Sequence, residues 1–298
     1  MKLSAQALFF KLCNKKKSSV LALFALTLGS VYGFIISQAN KGLAIKLILN
    51  AIGDDMKTQS SIIYQGPSLL DGSPIVVVAL HSNRNKKTGD MLQTYIIRSD
   101  ISPLQASKQG LDFAICGDCP MRGNATDDAR AKQAKNRTCY VLLGQGPTIV
   151  WKHLQKNGYP IAQGHEAIAS LGEGAMVRLG TYGDPAAVPS YVWENLLSRA
   201  KSYTGYSHQA KQAQSAFNAK LMMQSVESII EAQSAWRNGV RTFRVVKSYN
   251  QIDKANEIAC PSSRGIQCAD CGLCKGSAIK AKSIAIEVHG AGKNNLSA

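Results

Sequence analysis

Short apolar runs rich in β-branched residues alternate along the chain with segments of about ten to fifteen residues that have the apolar spacing of a helix. This alternation predicts an α/β fold whose parallel strands form an open sheet or a partial or complete barrel. The predicted strands are 61–64, 74–80, 93–98, 139–143, 176–179, 203–208, 242–246 and 282–289; predicted helices cover 147–156, follow a cap at Ser190, and run from a capping box at Ser228 to Asn238.

The same pattern divides the chain into three predicted segments. Residues 1–57 are a basic and apolar N-terminal segment with a linker, and residues 58–250 are an α/β domain. Residues 251–298 are a cysteine-rich, metal-binding loop followed by a closing strand.

An uncharged apolar run of seventeen residues, 20–36, lies between lysine-containing flanks in the N-terminal segment. Its length is at the short edge of what spans a bilayer, so it predicts an N-terminal apolar helix that anchors the chain in a membrane. A cleaved signal peptide and a start assigned too far upstream are the two other interpretations. The cysteine spacing suits a reducing compartment, so we expect the folded domain to be cytoplasmic and, through this run, membrane-associated.

Composition adds an indication about partners. The 298 residues are 45% apolar, which predicts a folded core, and carry a net charge of +16. That excess favours nucleic acid or an anionic membrane surface as a partner. Because the charge is spread along the chain, a basic surface that contacts only water explains it equally well.

Seven of the eight cysteines fall into two groups that are distant in sequence. The second group, which is the more specific, consists of Cys260, Cys268, Cys271 and Cys274. Its Cys-x2-Cys-x2-Cys spacing reproduces the first three ligands of the bacterial ferredoxin motif. Four thiolates suit one [4Fe–4S] cluster or one tetrahedral zinc ion, and three ligands crowded on one loop favour the cluster.

The first group consists of Cys116, Cys119 and Cys139. Three thiolates can hold a cluster with one open iron, or a zinc ion with water, Asp118 or a histidine as the fourth ligand. One shared site with ligands from both groups is another interpretation, and buried structural cysteines are the last.

Three further side chains come at the ends of predicted parallel strands, where α/β proteins place their functional residues. Arg178, Asp184 and His208 are therefore the candidates for a substrate crevice if the protein is an enzyme. A salt bridge between Arg178 and Asp184 and a purely structural histidine are the alternatives. The chain has no Walker, His-Glu-x-x-His or Gly-x-Ser-x-Gly motif, so the sequence does not define a reaction.

Four stretches resemble a family of uncharacterised cysteine-cluster proteins that bacteriophages and plasmids carry. They are Cys116-x2-Cys119-Pro, the phrase Arg178-Leu-Gly-Thr-Tyr-Gly-Asp-Pro-Ala-Ala-Val-Pro189, the strand Gly205-Tyr-Ser-His-Gln209 and the closing cysteine-rich loop, within roughly residues 50–290. More remotely, the layout is similar to the radical S-adenosylmethionine enzymes, which implies an α/β barrel, a cluster on three cysteines and an auxiliary cluster in a C-terminal loop. The Cys-x3-Cys-x2-Cys motif of those enzymes is absent, which argues against S-adenosylmethionine as a cofactor.

These features predict a metal-binding α/β protein of a mobile genetic element that holds an iron–sulfur cluster. A zinc-stabilised nucleic-acid-binding protein without catalysis is the alternative, motivated by the positive charge. A membrane-tethered extracytoplasmic protein with disulfides is the third interpretation.

Overall fold

The computed structural model describes residues 60–82 and 87–295, and within them ten strands form two five-stranded sheets. The strands are β1 (Ser61–Pro67), β2 (Pro74–Ser82), β3 (Met91–Arg98), β4 (Met176–Tyr182), β5 (Ser202–Thr204), β6 (Tyr206–Ser207), β7 (Met223–Val226), β8 (Thr242–Val246), β9 (Glu257–Ala259) and β10 (Ser283–Glu287). The α-helices of these residues are α1 (Pro103–Gln109), α2 (Phe113–Cys116), α3 (Gly146–Leu154), α4 (Gly164–Gly172), α5 (Ser190–Leu197), α6 (Ile229–Arg237) and α7 (Cys268–Cys271).

The strand order is β1-β2-β3-β4-β5 in the first sheet and β6-β7-β8-β10-β9 in the second. Strands β1 to β3 pair antiparallel, β3 to β5 pair parallel, and every pair of the second sheet is parallel. The predicted α/β fold with parallel strands is therefore confirmed. No barrel closes among the described residues, because the strands remain in two separate sheets.

The junction between the two sheets is a single residue, Gly205. The predicted strand 203–208 breaks there into β5 and β6, because Gly205 pairs differently from its neighbours. Its N–H donates to the Cys274 carbonyl at 2.7 Å, and its carbonyl accepts from the Met223 N–H at 3.0 Å. The cysteine-rich loop is therefore attached to the sheet at the point where one sheet gives way to the next.

The main core surrounds the first sheet. Residues 75–79 of β2 are at most 1% exposed, which explains why this strand is a continuous apolar run and not an alternating one. Trp193 and Leu196 of α5 pack into the same core, and the Trp193 indole donates to the Pro185 carbonyl at 2.8 Å. Ser190 is the first residue of α5, where it makes no capping hydrogen bond, so its predicted role as cap was wrong.

Segment 139–143, predicted as a strand, has no regular secondary structure. The Arg137 guanidinium donates hydrogen bonds to the carbonyls of Cys139 and Val141, at 2.9 and 2.8 Å. The Cys139 N–H donates to the Met121 carbonyl at 3.0 Å. These backbone groups are thus satisfied without a neighbouring strand. The apolar composition of the segment was outweighed by one arginine two residues before it.

Other predicted elements agree with the structure. The Ser228 hydroxyl accepts from the Glu231 N–H at 3.2 Å and caps α6, as the capping box predicted. Helices α1, α2, α4 and α7 and strands β7 and β9 were not predicted. None of the described helices is long and apolar enough to cross a membrane, and the apolar run 20–36 lies outside the described residues.

A buried ion pair joins the two strands that flank β10. Arg244 of β8 donates to both carboxylate oxygens of Glu257 in β9, at 2.9 and 2.5 Å, and the two side chains are 6% and 0% exposed. The Asp253 N–H also donates to this carboxylate, at 3.0 Å. A buried pair of this kind contributes little net stability, but removing one partner leaves an uncompensated charge in the interior.

We expect Glu257→Gln to lower the free energy of unfolding by about 3–5 kcal/mol, because the Arg244 charge would remain buried without a partner. Urea denaturation of the full chain measures this. The matched control is Glu166→Gln, which removes an exposed ion pair with Arg199 and should cost at most about 1 kcal/mol. Equal losses in the two variants would contradict the assignment.

Candidate functional site

A cavity of about 150 Å³ collects both cysteine groups. Six of the seven described cysteines line it, the exception being Cys271. The three candidates Arg178, Asp184 and His208 line it as well, although they come from different strands and loops. The structure thus brings together nearly all residues that the sequence singled out.

Two neighbouring segments contribute to the cavity wall. Arg178, Gly180, Thr181 and Tyr182 of β4 line it, and Thr204, Tyr206 and His208 line it from the segment that follows. In the second segment the lining residues alternate, as residues on one face of a strand do. This alternation is the sequence signal that identifies Tyr206 as a lining residue together with His208.

The first cysteine group is built around the end of α2. Cys116 is its last residue, and the Cys119 N–H donates to the Cys116 carbonyl at 3.1 Å, which closes the Cys-x2-Cys turn. Gly117 within this turn has φ 51°, and a Cβ there would collide with the Gln209 side chain. That side chain instead donates to the Cys116 carbonyl at 2.8 Å. Cys139 reaches the group through its hydrogen bond to the Met121 carbonyl.

Asp184 is delivered to this group by a glycine turn. Gly183 has φ 83°, and a Cβ there would lie 2.7 Å from Ile96 Cβ, so only glycine fits. The Asp184 N–H donates to the Ile115 carbonyl at 2.6 Å, and the carboxylate accepts from the N–H groups of Ala186 and His208, at 2.9 and 2.8 Å. Asp184 therefore positions the His208 backbone, and it makes no ion pair with Arg178 among the described residues.

His208 is the histidine that lies beside the first cysteine group. Its Nε2 is 4.0 Å from Cys119 Sγ and 2.9 Å from Glu227 Oε1. Burial by itself lowers the pKa of His208, but Cys119 and Glu227 outweigh burial and raise that pKa well above its ordinary value. Asp118, the other side chain considered as a fourth ligand, is exposed and accepts a hydrogen bond from Gln212.

The second cysteine group surrounds the short helix α7. The Cys268 N–H donates to the Lys87 carbonyl at 3.0 Å, and the Cys260 N–H donates to the Ala285 carbonyl at 2.8 Å. Burial, and to a smaller extent the other three thiols of the group, raise the pKa of Cys274 to about 12. Such thiols keep their protons unless a cation stabilises the thiolates.

Among the described residues, no group of three or more His, Cys, Asp or Glu side chains has an arrangement that could hold a metal ion. All seven described cysteines are free thiols.

A cation and two phenols lie against the cavity near the second group. Arg178 Nη2 donates to the hydroxyls of Tyr140 and Tyr206, at 2.5 and 3.0 Å. Tyr140 stacks on His289 with ring centroids 5.4 Å apart, and Tyr206 stacks on Phe243 at 4.3 Å. Sequence reasoning missed Tyr140, although its position directly after Cys139 was a usable signal.

Lys87 and Glu227 are two more lining residues that the sequence did not single out. Lys87 Nζ lies 2.9 Å from His289 Nε2, and it comes from a polar loop with no motif of its own. Glu227 directly precedes the Ser228 cap of α6, which places it at the end of β7. Because β7 was not predicted, the location of Glu227 at a strand end became evident only in the structure.

Arg241 holds the cysteine-rich loop in place. Its guanidinium donates to five loop carbonyls, at 2.7 to 3.1 Å: those of Leu273, Lys275, Gly276, Ala281 and Lys282. The Arg241 N–H also donates to the Ser277 hydroxyl at 2.8 Å. One side chain therefore satisfies most of the carbonyls next to Cys274.

Comparison of the chain with protein-family models, with curated proteins and with solved structures finds no match.

We expect Arg241→Met to open the cysteine-rich loop while the first sheet stays folded, because five carbonyls lose their donor at once. Hydrogen–deuterium exchange should be faster in peptides from residues 268–283 and unchanged in β2 and β3. Arg237→Met, which alters an exposed arginine of α6, is the control and should leave exchange unchanged. Uniform acceleration over the whole chain would contradict a local role for Arg241.

Proposed function

We propose that the protein binds a [4Fe–4S] cluster through Cys260, Cys268, Cys271 and Cys274. The observation that carries the proposal is the convergence of both cysteine groups on one cavity. The spacing of these four cysteines along the chain matches a ferredoxin-type motif, and three of them line the cavity. The described residues contain no arrangement that could hold a metal ion, so the four sulfurs would have to move together to bind the cluster. When bound, such a cluster would supply one-electron transfer.

The residues around the second group fit a negatively charged centre. Arg178 lowers the pKa of Cys268, opposing the larger effect of burial, and it acts on Cys274 in the same direction. Lys87 has the same effect on Cys268. Two cations near these sulfurs favour the thiolate form that a metal centre requires.

We further propose that Cys116, Cys119 and Cys139 hold a second metal site whose open position faces the cavity. His208 supports this assignment, because it is a nitrogen donor 4.0 Å from Cys119 Sγ. Glu227 contacts the same Nε2 atom at 2.9 Å. Because Cys119 and Glu227 lie beside one ring nitrogen, His208 does not pass a proton between them by way of its two nitrogens. A ligand role for the imidazole would require Glu227 to move away.

In this proposal the two sheets act as one open, partial barrel interrupted at Gly205, and the cysteine-rich loop lies at its mouth. Arg178 is the candidate for substrate contact, whereas Asp184 acts through the position of His208. The assignment to a mobile genetic element rests on the resemblance of the sequence motifs alone.

Anaerobic purification followed by iron, sulfide and absorption measurements tests the cluster. We expect about 4 irons per occupied site and a broad absorption band near roughly 400 nm. Cys274→Ala should abolish the cluster on the second cysteine group and leave metal only at the first cysteine group, while Cys139→Ala should do the reverse. The control is Cys13→Ser, which changes the cysteine outside both groups. A colourless wild-type protein with stoichiometric zinc would rule the cluster out.

The second candidate is a zinc-stabilised nucleic-acid-binding protein, and the net charge of +16 favours it. Binding through six to ten phosphate contacts should weaken by about 10³-fold or more between roughly 50 and 200 mM salt. Fluorescence anisotropy with labelled DNA and RNA duplexes and single strands measures this dependence. No binding at the lower salt concentration eliminates the candidate.

A further inference from the structure

Arg178 is a buried cation whose described hydrogen-bond partners are neutral. The residue is 8% exposed, and Nη2 donates only to two tyrosine hydroxyls. Its Nε has no hydrogen-bond partner among the described residues. A buried guanidinium with an unsatisfied donor is costly, because it loses hydration without gaining an anion.

The carboxylates that line the same cavity are already bound by other groups. Asp112 accepts from Arg122 at 2.7 Å, Asp184 accepts from backbone N–H groups, and Glu227 contacts His208 at 2.9 Å. None of these three forms an ion pair with Arg178 in the described part of the chain. The protein therefore supplies Arg178 with no carboxylate from this wall.

The cavity wall carries hydroxyl hydrogens that no acceptor among the described residues takes. The hydroxyls of Tyr140 and Tyr206 both accept from Arg178 Nη2 and lie 3.3 Å apart, so one of their two hydrogens joins them and the other remains available. The buried hydroxyls of Thr181 and Ser225 line the same cavity and have no hydrogen-bond partner among the described residues. A wall with unused hydroxyl donors suits a ligand that carries hydrogen-bond acceptors.

Another part of the wall is apolar and is formed by Val226, Phe243, Val245 and Ile286. We propose that the cavity binds a small organic carboxylate, whose carboxylate group accepts hydrogen bonds from Arg178 and whose apolar body packs against Phe243. The Arg178 Nε–H, which has no partner among the described residues, would donate to one carboxylate oxygen, and the phenol hydrogen that remains available would donate to the other. One positive charge then balances one negative charge. A volume of about 150 Å³ is comparable to a cavity that admits benzene, which sets the size of the molecule.

This inference takes its site from the proposed function and names the class of molecule that the site would bind. It does not require a metal, because Arg178 and the hydroxyls belong to the chain itself. The competing role for Arg178 is to balance the charge of thiolates in the second cysteine group. The two roles differ in whether an added carboxylate binds.

Calorimetric titration of anaerobically isolated full-length protein tests the inference. The probes are acetate, butyrate and benzoate, each compared with its neutral amide, and inorganic phosphate. We expect at least one carboxylate to bind about tenfold or more tightly than its amide, because an ionised acceptor strengthens the bond to Arg178. Arg178→Gln should weaken that carboxylate about 10- to 100-fold and leave the amide unchanged.

Tyr206→Phe is the milder second variant, because it removes one hydroxyl and keeps the ring on Phe243. It should weaken the same carboxylate roughly threefold to tenfold. Arg199→Gln is the control, since Arg199 is exposed and does not line the cavity, and it should bind as the wild type does.

Three results would overturn the inference: wild-type protein without a preference for carboxylates, a preference that survives both Arg178→Gln and Tyr206→Phe, or phosphate binding more tightly than every carboxylate. Iron and sulfide analysis of the same samples separates this inference from the proposed function. Carboxylate binding without iron supports the inference and defeats the cluster. Iron without carboxylate binding defeats the inference and assigns Arg178 to charge balance.

Discussion

The cysteine-rich loop depends on one guanidinium, that of Arg241. Residues 272–282 form neither helix nor strand, so their carbonyls have no partners from regular structure. Arg241 satisfies five of these carbonyls, and a guanidinium is the side chain with enough donors in one plane to do so. Because Arg241 directly precedes β8, the parallel sheet itself fixes where Cys274 lies. The loop is thus irregular in conformation but firmly attached.

Two backbone attachments, one for each cysteine group, explain how the two groups face one cavity. Gly205 binds the Cys274 carbonyl at the junction of the sheets, and the next lining residue, Tyr206, follows directly. On the other side, Asp184 is anchored to Ile115 next to Cys116. Parallel strands bring their carboxyl ends to one edge, so side chains that are far apart in sequence meet there. The cavity therefore forms where the carboxyl ends of neighbouring parallel strands meet.

Local sequence signals were sufficient for many elements of the fold. The capping box at Ser228 and the β-branched residues of β2 and β8 specify structure through neighbours in the chain, and the structure agrees with them. Segment 139–143 shows where such signals fail, because Arg137 binds its carbonyls and no strand pairs with it. The same limit applies to the site: the cysteines could be found from their spacing, but Lys87 and Glu227 have no motif and become lining residues only through the fold.

The sequence by itself determined the α/β class, the two cysteine groups and the three candidates Arg178, Asp184 and His208, since each depends on residue type and on separation along the chain. Only the tertiary structure decided that both groups share one cavity and that Arg178 contacts two phenols while Asp184 binds backbone N–H groups. Those choices depend on which strands become neighbours and on which donors burial leaves without water. Pairing and burial involve residues far apart in the chain, so no local pattern encodes them.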